Sequence, residues 1–170
     1  MRFAHFAPIA LLCGLSACGP SGERSTAQLL NHRLQDRLGA DIAANRVALQ
    51  PANDGATVTF LDTASNTPGA LQPAEATTGS PRASMVEGLL DPYLMRLSVA
   101  DTSSLPESRK SQRTAALTQY LQAFQLGDTL VPATAQPGGP PGLAVTIKVV
   151  CPHRNDGWGY DDGKRKPACF

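Results

Sequence analysis

Between Leu94 and Gly127 the chain reads LMRLSVADTSSLPESRKSQRTAALTQYLQAFQLG, and two periodicities meet there. Met95, Leu97 and Val99 fall on one side and Arg96 and Ser98 on the other, a period of two that predicts a half-buried strand. At Asp101 the alternation stops and a polar turn begins. Ser104-Leu105-Pro106-Glu107 predicts a helix start: a serine cap, a glutamate three residues on, and a proline in the first turn, where its missing N–H is not needed. Leu117, Tyr120, Leu121 and Phe124 then recur at helical spacing, and Gly127 is the expected C-cap. The unit is strand, polar loop, amphipathic helix, with Asp101 at the strand end and Arg109 and Arg113 early in the helix.

On the carboxyl side, Thr129–Val131 suits a brief strand, and PATAQPGGPPG (132–142) is a connection without regular structure. Leu143, Val145, Ile147 and Val149 alternate with Ala144, Thr146 and Lys148, the cleanest strand pattern in the chain. On the amino side, Met85, Val86, Leu89 and Leu90 predict a short helix stopped before Pro92. Residues 62–81 are a long loop of Thr, Ala, Pro, Ser and Gly. Val47 and Leu49, then Val58 and Phe60, flank a turn at Asp54-Gly55 and predict a β-hairpin. Earlier still, Leu30, Leu34, Leu38 and Ile42 repeat every four residues, from a capping box at Ser25–Gln28 to near Ala44. Such a stripe packs on its own domain or, left uncovered, serves as a stalk or a partner-binding helix. The fold expected from these elements is α+β.

The chain has 170 residues, 42% of them hydrophobic but only 5% aromatic, with 14 Pro and 15 Gly. That bounds it to one domain with tails and much loop. Residues 1–17, MRFAHFAPIALLCGLSA, combine a positive start at Arg2 with a short apolar run, which predicts a signal peptide. Without it, fourteen basic residues face fourteen acidic ones. Such a balance leaves no electrostatic footprint for nucleic acid.

Leu15-Ser16-Ala17-Cys18 resembles the bacterial lipobox. The resemblance implies lipidation of Cys18 and a membrane partner reached through that anchor; several acyl chains on one residue hold firmly where one would not. Gly19 after the cysteine points, by the same analogy, to the outer membrane and its periplasmic face. Cys151 and Cys169 remain as an even pair in an oxidising compartment, so a disulfide closing a polar tail, 151–170, is expected. Zinc on Cys151, His153 and Cys169 has no CxxC spacing behind it, and the acidic pairs in the tail lack the EF-hand pattern. No metal or other cofactor is expected. The run Lys164–Lys166 suits a solvated loop.

Two stretches, NRVALQPANDGATVTFLDTASNTPGALQPAEA (45–76) and LSVADTSSLPESRKSQRTAALTQYL (97–121), resemble the OmpA C-terminal-like domain. The resemblance implies an OmpA-like α/β domain over 45–150, of βαβαβ type with a mixed sheet and helices on one face. The lipidated tether and amphipathic helix, 18–44, would precede it. It further implies non-covalent peptidoglycan binding. Measured back from Tyr120-Leu121, Arg113 falls on the family's ligand-binding arginine, and Asp101 is the nearest match to its aspartate. Arg109 stands one turn before Arg113. The chemistry is coherent: an aspartate can take the ammonium of a diaminopimelate branch while an arginine forks onto its carboxylate. The departures are Val99-Ala100 in place of a glycine-bearing turn, Lys110 in place of a serine, and a shorter loop between Asp101 and Arg113. Whether the two charges meet is therefore a question for the structure. The alternative is that Arg109, Lys110 and Arg113 form a solvated face and Asp101 caps a turn.

A second likeness lies in the tail. Cys151-Pro152-His153, Gly157-Trp158 and Ala168-Cys169, behind a lipobox and a small α/β domain, look similar to CpaD-type lipoproteins of Tad pilus systems. That likeness implies a scaffold role with pilus or secretion proteins as partners. No enzyme signature is present: no nucleophile elbow, phosphate loop or dinucleotide fingerprint occurs.

Overall fold

A computed structural model describes residues 21–62, 80–133 and 138–150. The signal peptide, Cys18, most of the 62–81 loop, and the tail with Cys151, Cys169 and Lys164–Lys166 lie outside the described residues. The element order is α1 (Ser21–Ala43), β1 (Val47–Ala52), β2 (Gly55–Leu61), α2 (Pro81–Gly88), β3 (Met95–Asp101), α3 (Glu107–Ala123) and β4 (Gly142–Val149). Short 3-10 turns at Pro92–Leu94 and Gly127–Thr129 precede β3 and follow α3. The fold is α+β.

The sheet order is β1-β2-β4-β3, with every neighbouring pair antiparallel. Since β2 and β3 both oppose β4, they run in the same direction, and α2 lies on the connection between them. β4 thus separates the two halves of a split βαβ unit. Among the described residues, parallel pairing is confined to one bridge, Leu97 to Leu130, on the outer side of β3. There Val131 N–H donates to the Leu97 carbonyl at 2.8 Å, so the expected strand at Thr129–Val131 is a single bridge.

The register aligns Val47 with Phe60, Val58 with Val145, Leu143 with Phe60 and Asp101, and Leu97 with Ile147. These residues share the face that carries the helices. α1 packs on β1, β2 and β4, α3 packs on β3, and α2 packs on α1. Leu30, Leu34 and Leu38 are fully buried, so the leucine stripe of α1 belongs to the same core as the sheet. The other face carries Ser98, Thr57, Thr59 and Thr146, with the Thr57 and Thr146 hydroxyls 3.4 Å apart.

Close approach to backbone requires glycine at Gly55, where a Cβ would sit 1.9 Å from the Ile147 carbonyl oxygen, and at Gly142, where it would sit 2.3 Å from the Phe60 carbonyl oxygen; at Gly88 a Cβ would press on Leu34 Cδ2 at 3.0 Å. Gly55 is therefore the first residue of β2 rather than part of the turn, which is Asn53-Asp54 alone.

Three helix ends differ from the sequence reading. α1 begins at Ser21, ahead of the Ser25 box. α3 begins at Glu107 with Pro106 as its N-cap and no side-chain cap bond. Proline disfavours helical geometry in the residue before it, so Leu105 cannot join the helix and Ser104 is left too far back to cap it. At the other end, α3 stops on Phe124, and Gln125 takes the left-handed conformation at φ 60°. Leu126 N–H reaches the Leu121 carbonyl and Gln125 N–H the Gln122 carbonyl, a Schellman closure over the buried pair Leu121 and Leu126. Gly127 comes two residues too late to serve. α1 closes in the same way on Asn45, φ 53°, with Arg46 N–H donating to the Asp41 carbonyl. The Arg46 guanidinium also returns to the buried Asp41 carboxylate, Nε to Oδ1 at 2.8 Å.

Candidate functional site

Strand parity places an acidic residue at each of two strand ends. Along β3 the inward positions run Met95, Leu97, Val99 and then Asp101. Along β2 they run Ala56, Val58, Phe60 and then Asp62, one residue beyond the strand. Because β2 and β3 run in the same direction, both carboxylates lie at the same end of the sheet, on the helix-bearing face, with β4 between them. Next-but-one strands are about 10 Å apart, too far for the carboxylates to share a partner smaller than an extended side chain.

Arg113 supplies it. It lies on the buried row of α3 with Leu117 and Leu121. Its Nη1 and Nη2 donate to Asp62 Oδ2 and Oδ1 at 3.3 and 2.7 Å, a two-pronged fork. Its Nε faces Asp101 Oδ2 at 3.3 Å. This second contact is a charge contact without hydrogen-bond alignment, and it leaves Asp101 Oδ2 with no hydrogen bond. Asp101 Oδ1 accepts from Ser103 N–H at 2.9 Å, which closes the turn after β3. Side-chain exposure falls from 22% at Asp62 to 9% at Arg113 and 1% at Asp101. Two carboxylates thus share one guanidinium, and the centre carries a net charge of −1.

The structure therefore brings Asp101 and Arg113 together despite the short loop, and Asp101 also caps its turn. They do not line an open cleft as a free pair: the arginine fork is filled from within the chain by Asp62. Arg109 does not join them. It is exposed in the first turn of α3, since the row it would extend meets the sheet only from Arg113 onward. Lys110 pairs with Glu107 at 2.9 Å. The Asp62 contribution was hidden in the sequence by the loop composition that follows it. The signal that could have found it is parity, since it continues Val58 and Phe60 inward just as Asp101 continues Leu97 and Val99.

A cavity of about 440 Å³ adjoins the centre, lined by Asp101, Glu107, Lys110, Ser111, Thr114 and Thr118. Ala115 also lines it, and its surface mixes hydroxyls and charges of both signs with a slightly larger share of apolar atoms. A larger cavity of about 810 Å³ lies at the far end of α3, lined among others by Tyr93, Arg96, Gln122, Phe124, Gln125 and Asp128. Also on α3, the Tyr120 ring lies against Phe124, with centroids 5.0 Å apart and planes tilted by 53°. Its hydroxyl is buried without a well-aligned hydrogen bond, and burial pushes the phenol up, against an opposing pull from Ser80 and Arg82. Among the described residues no cluster of three His, Cys, Asp or Glu side chains could hold a metal ion. No described helix is long and apolar enough to cross a membrane.

Comparison with known protein families, with curated proteins and with solved structures gave no match.

Proposed function

We propose that this chain is a lipid-anchored protein of the outer membrane, facing the periplasm, that holds peptidoglycan non-covalently through Asp101 and Arg113. The observation that supports it is the convergence of these two side chains, 3.3 Å apart, at a strand end and an early helix turn, with Asp101 lining a neighbouring cavity. A carboxylate and a guanidinium on rigid elements are what a ligand bearing both an ammonium and a carboxylate requires. The test is sedimentation with purified sacculi. The wild-type chain should be retained, and Arg113→Lys, which keeps a cation but loses the planar fork, should be retained at least tenfold less. Equal retention of the two, or none for either, ends the reading. Mass spectrometry of the mature amino terminus should find acyl groups on Cys18.

A second reading is a scaffold lipoprotein of a pilus or secretion system acting through protein contacts. Two observations favour it. The fork of Arg113 is already filled by Asp62. The exposed aromatics Tyr93 and Phe124 also border one large cavity at the opposite end of α3. Loss of surface pili or of secretion in a deletion strain, with sacculus binding absent, would establish it over the first.

A further inference from the structure

The centre has three members but only two are held rigidly. Arg113 is anchored on the buried row of α3 between sheet and helix. Asp101 is the last residue of β3, paired with Leu143, and its carboxylate is tied to Ser103. Asp62 differs on each count. It lies one residue past the last β2–β4 pair, Leu61 with Gly142, and has no strand pairing of its own. It is also the most exposed of the three side chains. Yet it makes the best-formed contact, the two-pronged grip on the Arg113 guanidinium.

That grip is one an external carboxylate could make, since carboxylates commonly take two parallel N–H bonds from an arginine. On the other side, Asp101 Oδ2 is buried, lacks a hydrogen bond, and belongs to a residue that lines the neighbouring cavity. The centre is thus fully hydrogen-bonded where a ligand carboxylate would bind, while on the Asp101 side Oδ2 has its charge contact with Arg113 but no hydrogen bond. A clamp serving the fold alone gains nothing from that asymmetry; a receptor whose carboxylate position is occupied in advance would have it.

We propose that Asp62 is an internal stand-in for the ligand carboxylate and holds the site closed until an external carboxylate displaces it. This rests on the peptidoglycan reading and adds its regulation. The apparent affinity of a ligand falls by the fraction of molecules in which the fork is open. An intramolecular carboxylate acts at an effective concentration in the millimolar range or above. Only a ligand that also gains from the Asp101 side therefore competes well. A simple carboxylate does not.

The experiment uses the full chain in detergent, titrated with diaminopimelate and, separately, with glutarate, which has carboxylates but no ammonium. Retention on sacculi is measured alongside. Asp62→Asn keeps the side-chain shape and one acceptor while removing the competing charge. It should bind diaminopimelate about tenfold or more tightly than the wild type does, and sediment more completely with sacculi. Adding Arg113→Lys to Asp62→Asn should abolish the gain. Glutarate should bind Asp62→Asn and not the wild type. Wild-type binding as tight as that of Asp62→Asn overturns the stand-in while leaving the peptidoglycan reading intact. If no variant binds either probe or sacculi, both fall and the triad is a structural clamp. Should Asp62→Asn fail to fold, the Arg113 Nε–H resonance of the wild type decides instead. It must move on saturation with diaminopimelate and stay unmoved with glutarate; an unmoved signal with both overturns the proposal.

Discussion

α1 and α3 dock on the same face of one sheet by different means. α1 meets β1, β2 and β4 through Leu30, Leu34 and Leu38, an unbroken apolar row. α3 meets β3 through Leu117 and Leu121 at its carboxyl half, but through Arg113 at its amino half. Apolar contact is additive and tolerant of small shifts, so the α1 interface needs only the right volume in roughly the right place. The charged contact is not tolerant. A buried guanidinium is stabilising only while its carboxylates are in reach, and it becomes a liability when one is lost. One end of the sheet is therefore held by burial and the other by a fit of three charges, with Arg113 spanning β4 to tie β2 to β3.

The largest effect should come from cutting that tie. Arg113→Ala leaves Asp62 and Asp101 facing each other without a cation and should cost about 3–5 kcal/mol in chemical denaturation. A wild-type midpoint for this variant would place the two interfaces on the same footing. Leu34→Ala tests the other interface. It should cost about 3 kcal/mol, through lost burial and the cavity left beneath Gly88. Tyr120→Phe should be smaller, within about 1 kcal/mol at neutral pH, because the hydroxyl it removes is buried without a good hydrogen bond. Its signature is pH dependence. Burial raises the Tyr120 phenol above 10.0, so the folded state holds that proton more tightly than the unfolded state. The associated stability is intact below about pH 10 and is lost as pH rises through the folded-state value. Wild type should lose stability relative to Tyr120→Phe only in that alkaline window. The smallest effect belongs to Glu87→Gln. The Arg37–Glu87 pair is 3.1 Å long but more than half exposed on both sides, and removing it should change stability by less than about 0.5 kcal/mol. Together the ion-pair variants separate a buried charge contact from a solvated one at similar distance.

The same contrast explains what could be read from the sequence. The leucine row of α1, the hairpin at Val47–Leu61 and the alternation in β3 and β4 follow from burial alone, and burial writes a period into the chain. The ends of α3 do not. Ser104 and Gly127 are good caps by composition, but Pro106 moved the start and Gln125 accepted a left-handed conformation that glycine usually takes. Chain propensity was overridden there by the packing of Leu121 and Leu126. Asp101 and Arg113 stood out in the sequence as an acid at a strand end and a base early in a helix, and their meeting at 3.3 Å comes from the structure. Asp62 did not stand out, since a single charge at the edge of a polar stretch has no period of its own. Only the sheet order, which sets β2 and β3 running alike on either side of β4, gives that position its meaning.

The position of β4 has a consequence for how the molecule is made. Among the described residues it comes last in the sequence, yet it is the strand that joins the β1–β2 hairpin to β3. Until residue 149 has emerged, a growing chain can close the hairpin, dock α1 on it and lay α3 on β3, but it cannot join β3 to the rest of the sheet. Emergence of β4 is therefore the step that turns two separate pieces into one sheet.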